Sequence, residues 1–223
     1  MPDLNRWIDS VVRYAQERGP EHLVPALCML GVQLVLLCWF FIGYVPIIVG
    51  VAAAEDYPWA PFVGFGVAGV MFFGAIAALQ PVHVGYMHGT LRSMRGEGFP
   101  ISELAWGFRR LPSALAMFFL TMGAVFFGTL FCYLPGLIVG WLLFLAVPAL
   151  ADRNQGAMDA LATSYDLVMR KPMEVGLWYV VSFVILMVAA FIPMIGSLLT
   201  VPLWTVLSLT AYLFLSRERD GTG

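Results

Sequence analysis

The polar side chains of this chain that could do chemistry are few, and most fall in one short stretch. Gln80, His83, Tyr86 and His88 follow one another closely, with Gln33 a further candidate upstream. On a helix turning about 100° per residue, His83 and His88 stand roughly 140° apart. That is a poor shared face for a metal ion, which needs spacings of three or four. Tyr86 lies three residues from His83 and shares its side. Such a set could bind a lipid headgroup or a small solute at the mouth of a membrane helix. The alternative makes these residues markers of the membrane–water boundary, with Tyr86 as a belt aromatic.

Other chemistry is sparse. Asp152, Asp159, Asp166 and Glu174 share a stretch with Arg153, Arg170 and Lys171. Paired carboxylates can do acid–base work, but no nucleophile, histidine or phosphate-binding loop accompanies them. A solvated helix face of mixed charge is the expected role. Cys28, Cys38 and Cys132 sit in apolar runs with no CxxC or metal-type spacing, and read as small buried hydrophobes. The 12 Met are scattered without the clustering a copper conduit would need. There is no Walker loop, Gly-rich dinucleotide turn or GxSxG elbow. No catalytic residue, metal site or cofactor is expected, and the chain does not read as an enzyme.

The elements that must position these residues are apolar helices. Of 223 residues, 61% are hydrophobic and 12% charged, against about 25% charged in a soluble domain. Mean hydropathy is +0.85. The 12 Lys and Arg fall in five clusters: Arg6/Arg13/Arg18, Arg92/Arg95, Arg109/Arg110, Arg153/Arg170/Lys171 and Arg217/Arg219. Basic residues next to membrane spans stay on the cytoplasmic side. Arg92, Arg95, Arg109, Arg110, Arg170 and Lys171 are therefore the topology-setting residues. Each apolar run between clusters must leave and return, giving an even number of crossings. Glu55 and Asp56 fall in an external turn without an accompanying base. The thin spread of cations along membrane edges argues against a nucleic-acid partner.

Residues 3–17 read as an amphipathic helix, with Leu4, Trp7, Ile8, Val11 and Ala15 at helical spacing. It suits a place in the cytoplasmic interface, and Gly19-Pro20 is expected to end it. The run from His22 to Ala54 would be about 50 Å long as a helix, against a hydrocarbon core of about 30 Å. It is expected to span once from Leu23 to Tyr44 and break near Gly43 and Pro46. That run is far longer than a signal core, so no cleavable signal is expected. A second span from Ala60 to Tyr86 is rich in small residues that let helices approach, among them Gly64, Gly66, Ala68, Gly69, Gly74 and Ala75, and Gly85-xxx-Gly89 at its end matches the small-xxx-small pattern. Ser102 is expected to cap a short helix with Leu104, Phe108 and Leu111 on one face. The run 113–151 should break at Leu134-Pro135-Gly136. Residues 157–169 read as amphipathic through Met158, Leu161, Tyr165 and Val168/Met169. The run 173–215 should break between Pro193 and Gly196.

The expected fold is thus an all-α membrane protein with six transmembrane helices in three hairpins and both termini inside. Residues 1–20 form an interfacial amphipathic helix, 21–216 the membrane domain and 217–223 a cytoplasmic tail. The helix-break residues are Pro46, Pro135, Gly136 and Pro193. A faint repeat supports three hairpins: an aromatic, a proline and a nearby glycine recur at each external turn, and Pro81, Pro148 and Pro202 mark the descending helices.

The segments Leu134-Pro135-Gly136 to Asp152, Gly156-Ala157-Met158-Asp159-Ala160-Leu161 and Ser164-xx-Leu167-Val168 carry a family resemblance. So do Gly85-Tyr86, Arg95-Gly96-Glu97 and Gly107-Phe108. Over roughly residues 22–215 the chain resembles a broad group of uncharacterised membrane proteins. The group includes the YciC-like proteins and the membrane domain preceding some glycerophosphodiester phosphodiesterases. The resemblance implies a six-helix membrane domain and brings no catalytic residues with it. The soluble phosphodiesterase module of the longer relatives is not expected here.

The functional expectation is a non-enzymatic protein of the inner (cytoplasmic) membrane. It would act as an envelope scaffold, an accessory subunit or a lipid-interacting module. Its partners would be membrane lipids and a membrane protein or further copies of itself. A small transporter or exporter of an apolar or zwitterionic solute is the alternative.

Overall fold

The computed structural model describes residues 2–131, 133–153, 155–190 and 195–219. Among them are nine α-helices and no strand. They are α1 (Pro2–Ala52), α2 (Ala60–Met94), α3 (Trp106–Arg109, after a 3-10 turn over Ile101–Ala105), α4 (Leu111–Phe131), α5 (Tyr133–Leu142), α6 (Ala146–Arg153), α7 (Ala157–Arg170), α8 (Pro172–Ala190) and α9 (Ile195–Arg219). Five segments are long and apolar enough to cross a membrane: Val24–Ala52, Ala60–Met94, Leu111–Leu130, Leu134–Arg153 and Pro172–Ala189. This is the make-up of a multi-pass membrane protein. In hydrocarbon every backbone polar group must be satisfied within the segment, which makes the helix the only open-chain solution.

The chain forms two compact units: residues 27–80, and residues 1–26 with 81–223. The first is a hairpin of the later part of α1 and the start of α2, joined through residues 53–59. A Cβ on Gly50 would stand 2.6 Å from the Ala60 carbonyl oxygen, Gly64 abuts the Pro46 carbonyl, and Gly43 lies under the Phe72 ring. Three glycines thus bring the two backbones together, as expected where packing replaces the hydrophobic drive. Phe40 stacks on Phe72 at 4.6 Å, and the Trp39 indole N–H donates to the Met71 carbonyl at 3.2 Å. The rest of the hairpin surface is apolar and open, with Phe62 79% exposed. Such a surface suits lipid, because water-soluble monomers rarely expose contiguous apolar patches beyond a few hundred Å².

Two expected breaks are absent. Helix α1 runs unbroken through Gly19-Pro20 and through Gly43 and Pro46. Proline removes one donor, but at Pro46, inside the apolar segment Val24–Ala52, the surrounding offers the chain no better structure than the helix; nothing in the structure explains why Pro20 is tolerated. Pro135 and Gly136 lie in the first turn of α5, where a missing N–H leaves no bond unmade. Among the described residues α4 ends at Phe131 and α5 starts at Tyr133, two positions before Pro135. Pro193 lies outside the described residues.

The second unit packs around Trp7, Met117, Leu145, Leu150, Leu167, Trp178 and Tyr212. Trp7, expected in the membrane interface, is 1% exposed. Its ring stacks on Trp178 at 5.9 Å, and its N–H donates to Thr210 Oγ1 at 3.0 Å. Helix α9 supplies Thr205, Leu207, Ser208, Leu209, Ala211 and Tyr212 to this interior. Its hydroxyl-rich sequence is tolerated because protein, not lipid, surrounds it.

Residues 143–145 form a break between α5 and α6 that no proline or glycine announces. The Ser164 hydroxyl of α7 bridges it, donating to the Leu142 carbonyl at 2.8 Å and accepting from the Leu145 N–H at 3.2 Å. Phe144, Leu145 and Ala146 are all buried there. Irregular backbone at this depth persists only inside protein. Ser164→Ala leaves both groups bare and should cost about 1–3 kcal/mol. Thermal melting in detergent checks this, with Ser164→Thr expected to retain most of the stability.

Candidate functional site

Helix α2 ends in a Schellman closure. The Gly96 N–H bonds the Ser93 carbonyl and the Glu97 N–H bonds the Arg92 carbonyl, with Gly96 at φ +87°. The chain then folds back as residues 99–107 along the last turns of α2. The approach is close. A Cβ on Gly85 would lie 2.6 Å from the Glu103 carbonyl, one on Gly89 2.6 Å from the Phe99 ring, and one on Gly107 would overlap the Pro81 carbonyl. The Gly85-xxx-Gly89 pair thus holds the returning segment against α2. Ser102 lies within the 3-10 turn and does not cap it, since Pro100 takes that place.

This fold-back brings His88, Glu103 and Trp106 together. The His88 ring stacks flat on Trp106, with centroids 4.0 Å apart and planes 9° from parallel. Its Nδ1 is 2.8 Å from the Ala151 carbonyl oxygen of α6. A carbonyl only accepts, so Nδ1 carries a proton. His88 Nε2 lies 3.5 Å from Glu103 Oε2, and Arg92 Nη1 donates to Glu103 Oε1 at 2.5 Å. Arg92 Nε also donates to Glu97 at 2.8 Å. The Arg110 guanidinium sits 6.0 Å over the Trp106 ring.

A second cluster joins α2, α6 and α9. Asp152 accepts from Arg95 at 2.5 Å and from the Tyr212 hydroxyl at 2.8 Å, and Arg153 Nε donates to the same hydroxyl at 3.2 Å. The Asp152 side chain is 12% exposed, so it is not the solvated residue its neighbours suggested. The start of α1 joins through Tyr14. Its hydroxyl reaches the Thr90 carbonyl at 3.5 Å, and burial pushes the phenol up to about 12. Ser93 donates to Glu21 at 3.2 Å, and Glu21 pairs with Arg18 at 2.7 Å.

Gln80, His83, Tyr86 and His88 all lie on α2, each in its own surroundings. His88 belongs to the clusters just described. His83 Nε2 is buried without a hydrogen-bond partner. Tyr86 is buried with its ring 5.5 Å from Phe99. Gln33 and Gln80 belong to the other unit. The residues that do converge, Glu103, Trp106 and Asp152, are joined by contacts far apart in sequence that no spacing announces.

Chemically, these arrangements are latches. Each carboxylate is held by an arginine, a histidine or a tyrosine. Among the described residues no three His, Cys, Asp or Glu side chains gather as a metal site. Asp166 pairs with Arg170 at 3.2 Å, and Glu174 with Lys171 at 3.4 Å. Both pairs lie on helix surfaces, where such bonds are worth about 0–1 kcal/mol. Comparison with family models, with curated proteins and with solved structures returns no match for this chain.

Proposed function

We propose that the protein is a non-enzymatic integral membrane module of the cytoplasmic membrane, acting as a scaffold, accessory subunit or lipid-interacting unit. One observation carries this reading. The ionisable groups converging on the end of α2, namely His88, Arg92, Arg95, Glu103 and Asp152, are engaged with one another or with backbone. A catalytic or transport site would leave such groups facing a substrate space. The resemblance to the YciC-like proteins points the same way.

The topology proposed with it has six spans in three hairpins and both tails in the cytoplasm. Helix α9, of 25 residues, would be the sixth span. At about 1.5 Å per residue it is longer than the roughly 30 Å hydrocarbon core.

Purification from native membranes in mild detergent tests the functional reading. A defined membrane protein or lipid class should copurify, and added lipid should raise the melting temperature. A solitary protein stabilised by a soluble solute would contradict it. The break between α5 and α6 is the feature that favours transport, since broken helices can present backbone to a solute. Ser164 already occupies two of the backbone groups exposed there, so transport ranks second. Flux in proteoliposomes that vanishes on changing Gln80 or His83 would reverse that order.

A further inference from the structure

Helix α7 carries three stripes rather than two. Its core side is Ala157, Ala160, Ser164, Leu167 and Val168, all buried. Met158, Leu161, Tyr165 and Val168/Met169 read from the sequence as its apolar face, and of these Val168 is buried. Met158, Tyr165 and Met169 instead lie exposed, Met158 at 67%. At about 100° per residue they stand roughly 130° around from the core side. Asp159, Asp166 and Arg170 form a third, charged stripe beyond them. The first turns of α1 repeat this order. Trp7 and Val11 join the core, Ile8 and Val12 are exposed, and Asp9 and Arg13 follow in the same rotational sense. A helix bathed in water has no use for a second apolar stripe, and one sunk in lipid has no use for the charged one.

We propose that α7 and the first turns of α1 lie in the headgroup–acyl boundary of the cytoplasmic leaflet, with bilayer lipid covering their exposed apolar stripes. This rests on the membrane reading above and names lipid as the partner. Two features select lipid over a protein partner. The stripe of α7 continues in sequence through Met173 into Leu177, Val180 and Val184, the exposed line of the spanning helix α8. An exposed apolar line that resumes, beyond the Lys171 bend, on a helix long and apolar enough to span points to the same solvent for both. The charged edge also carries Arg13 and Arg170, with Lys171 at the junction of α7 and α8. Arg170 pairs with Asp166 and Lys171 with Glu174, so the edge is a row of mixed charge, which suits the zwitterionic and anionic headgroup layer of an interfacial helix.

Spin labels test this. Cys28, Cys38 and Cys132 are replaced, and single cysteines are introduced at Ile8, Val12, Met158, Tyr165 and Met169. Comparison labels stand at Asp159 and Asp166, and at Val180 and Val184. All these positions are exposed, so labelling leaves the packing intact. The protein is reconstituted in vesicles of phosphatidylethanolamine and phosphatidylglycerol. Collision with oxygen, which partitions into lipid, is compared with collision with a water-soluble nickel chelate. The five apolar positions should show an oxygen-to-nickel ratio several-fold above that at Asp159 and Asp166. Equal ratios on the two stripes would overturn the proposal in favour of water. Labels on the apolar stripe that are immobile and shielded from both reagents would overturn it in favour of a protein cover. If Val180 and Val184 also fail to meet oxygen, the membrane reading itself falls. If they meet oxygen and the α7 stripe does not, only the interfacial placement falls.

Discussion

Replacing Gly107 by leucine should collapse the folded yield of this protein, while leucine at Gly74 should leave it unchanged. A Cβ at Gly107 would overlap the Pro81 carbonyl and meet the Pro81 Cα at 3.0 Å, whereas one at Gly74 meets nothing within 4 Å. Overpacking in a core usually costs about 1–3 kcal/mol because side chains move aside. At Gly107 the obstacle is helix backbone, so α2 and the returning segment would have to separate. Separation would lift Trp106 from His88 and pull Glu103 from Arg92. We expect a loss at or above the upper end, about 3 kcal/mol, or a fall in melting temperature on the order of 6–12 °C for a chain of this size. Size-exclusion profiles and thermal melting in detergent check it. A Gly107→Leu variant that melts with the parent would show that the close approach does not exist.

Asp152→Ala should give the second large effect. The carboxylate accepts from the Tyr212 hydroxyl at 2.8 Å, and Tyr212 is fully buried. A buried hydrogen bond to a charged acceptor contributes about 1.5–3 kcal/mol, and a bare hydroxyl adds its own desolvation cost. Arg95 is nearly half exposed, so its share is small, about 0–1 kcal/mol. Asp152→Asn keeps an acceptor for Tyr212 and should recover most of the loss. Tyr212→Phe severs the same bond and also the one from Arg153, so its cost should be comparable to that of Asp152→Ala, and the double variant should cost less than the sum of the two. Additive losses would place the two side chains in separate interactions.

The helical character of the chain and the hairpin turn at residues 53–59 were legible from apolar runs and from Glu55-Asp56-Tyr57-Pro58. What misled was punctuation. Pro46 would end a helix in water, where the freed backbone can bond solvent; inside an apolar segment α1 continues through it, and it continues through Gly19-Pro20 as well. The break at residues 143–145 was invisible because a hydroxyl from α7, some twenty positions later, makes it tolerable. Helix α7 itself was found, but its two apolar faces look alike in sequence. Only tertiary packing shows that Ser164 points inward and Met158 outward. The site was the least legible. His88 stands out in the sequence beside His83 and Tyr86 in an apolar run, whereas Glu103 and Asp152 resemble ordinary charged residues of polar stretches until the fold places them against α2.

The side of the membrane at which each tail lies decides the architecture. Five described segments are apolar enough to span, and α9 makes six only if it too crosses. Cysteine accessibility or reporter fusions at both termini, near Asp56, near Gly98 and near Gln155 decide the matter. The account predicts the amino and carboxyl tails on the same cytoplasmic face as Gly98 and Gln155, with Asp56 outside. Tails in opposite compartments would contradict it, because an odd number of crossings would carry at least one arginine cluster across the bilayer and remove α9 from the membrane.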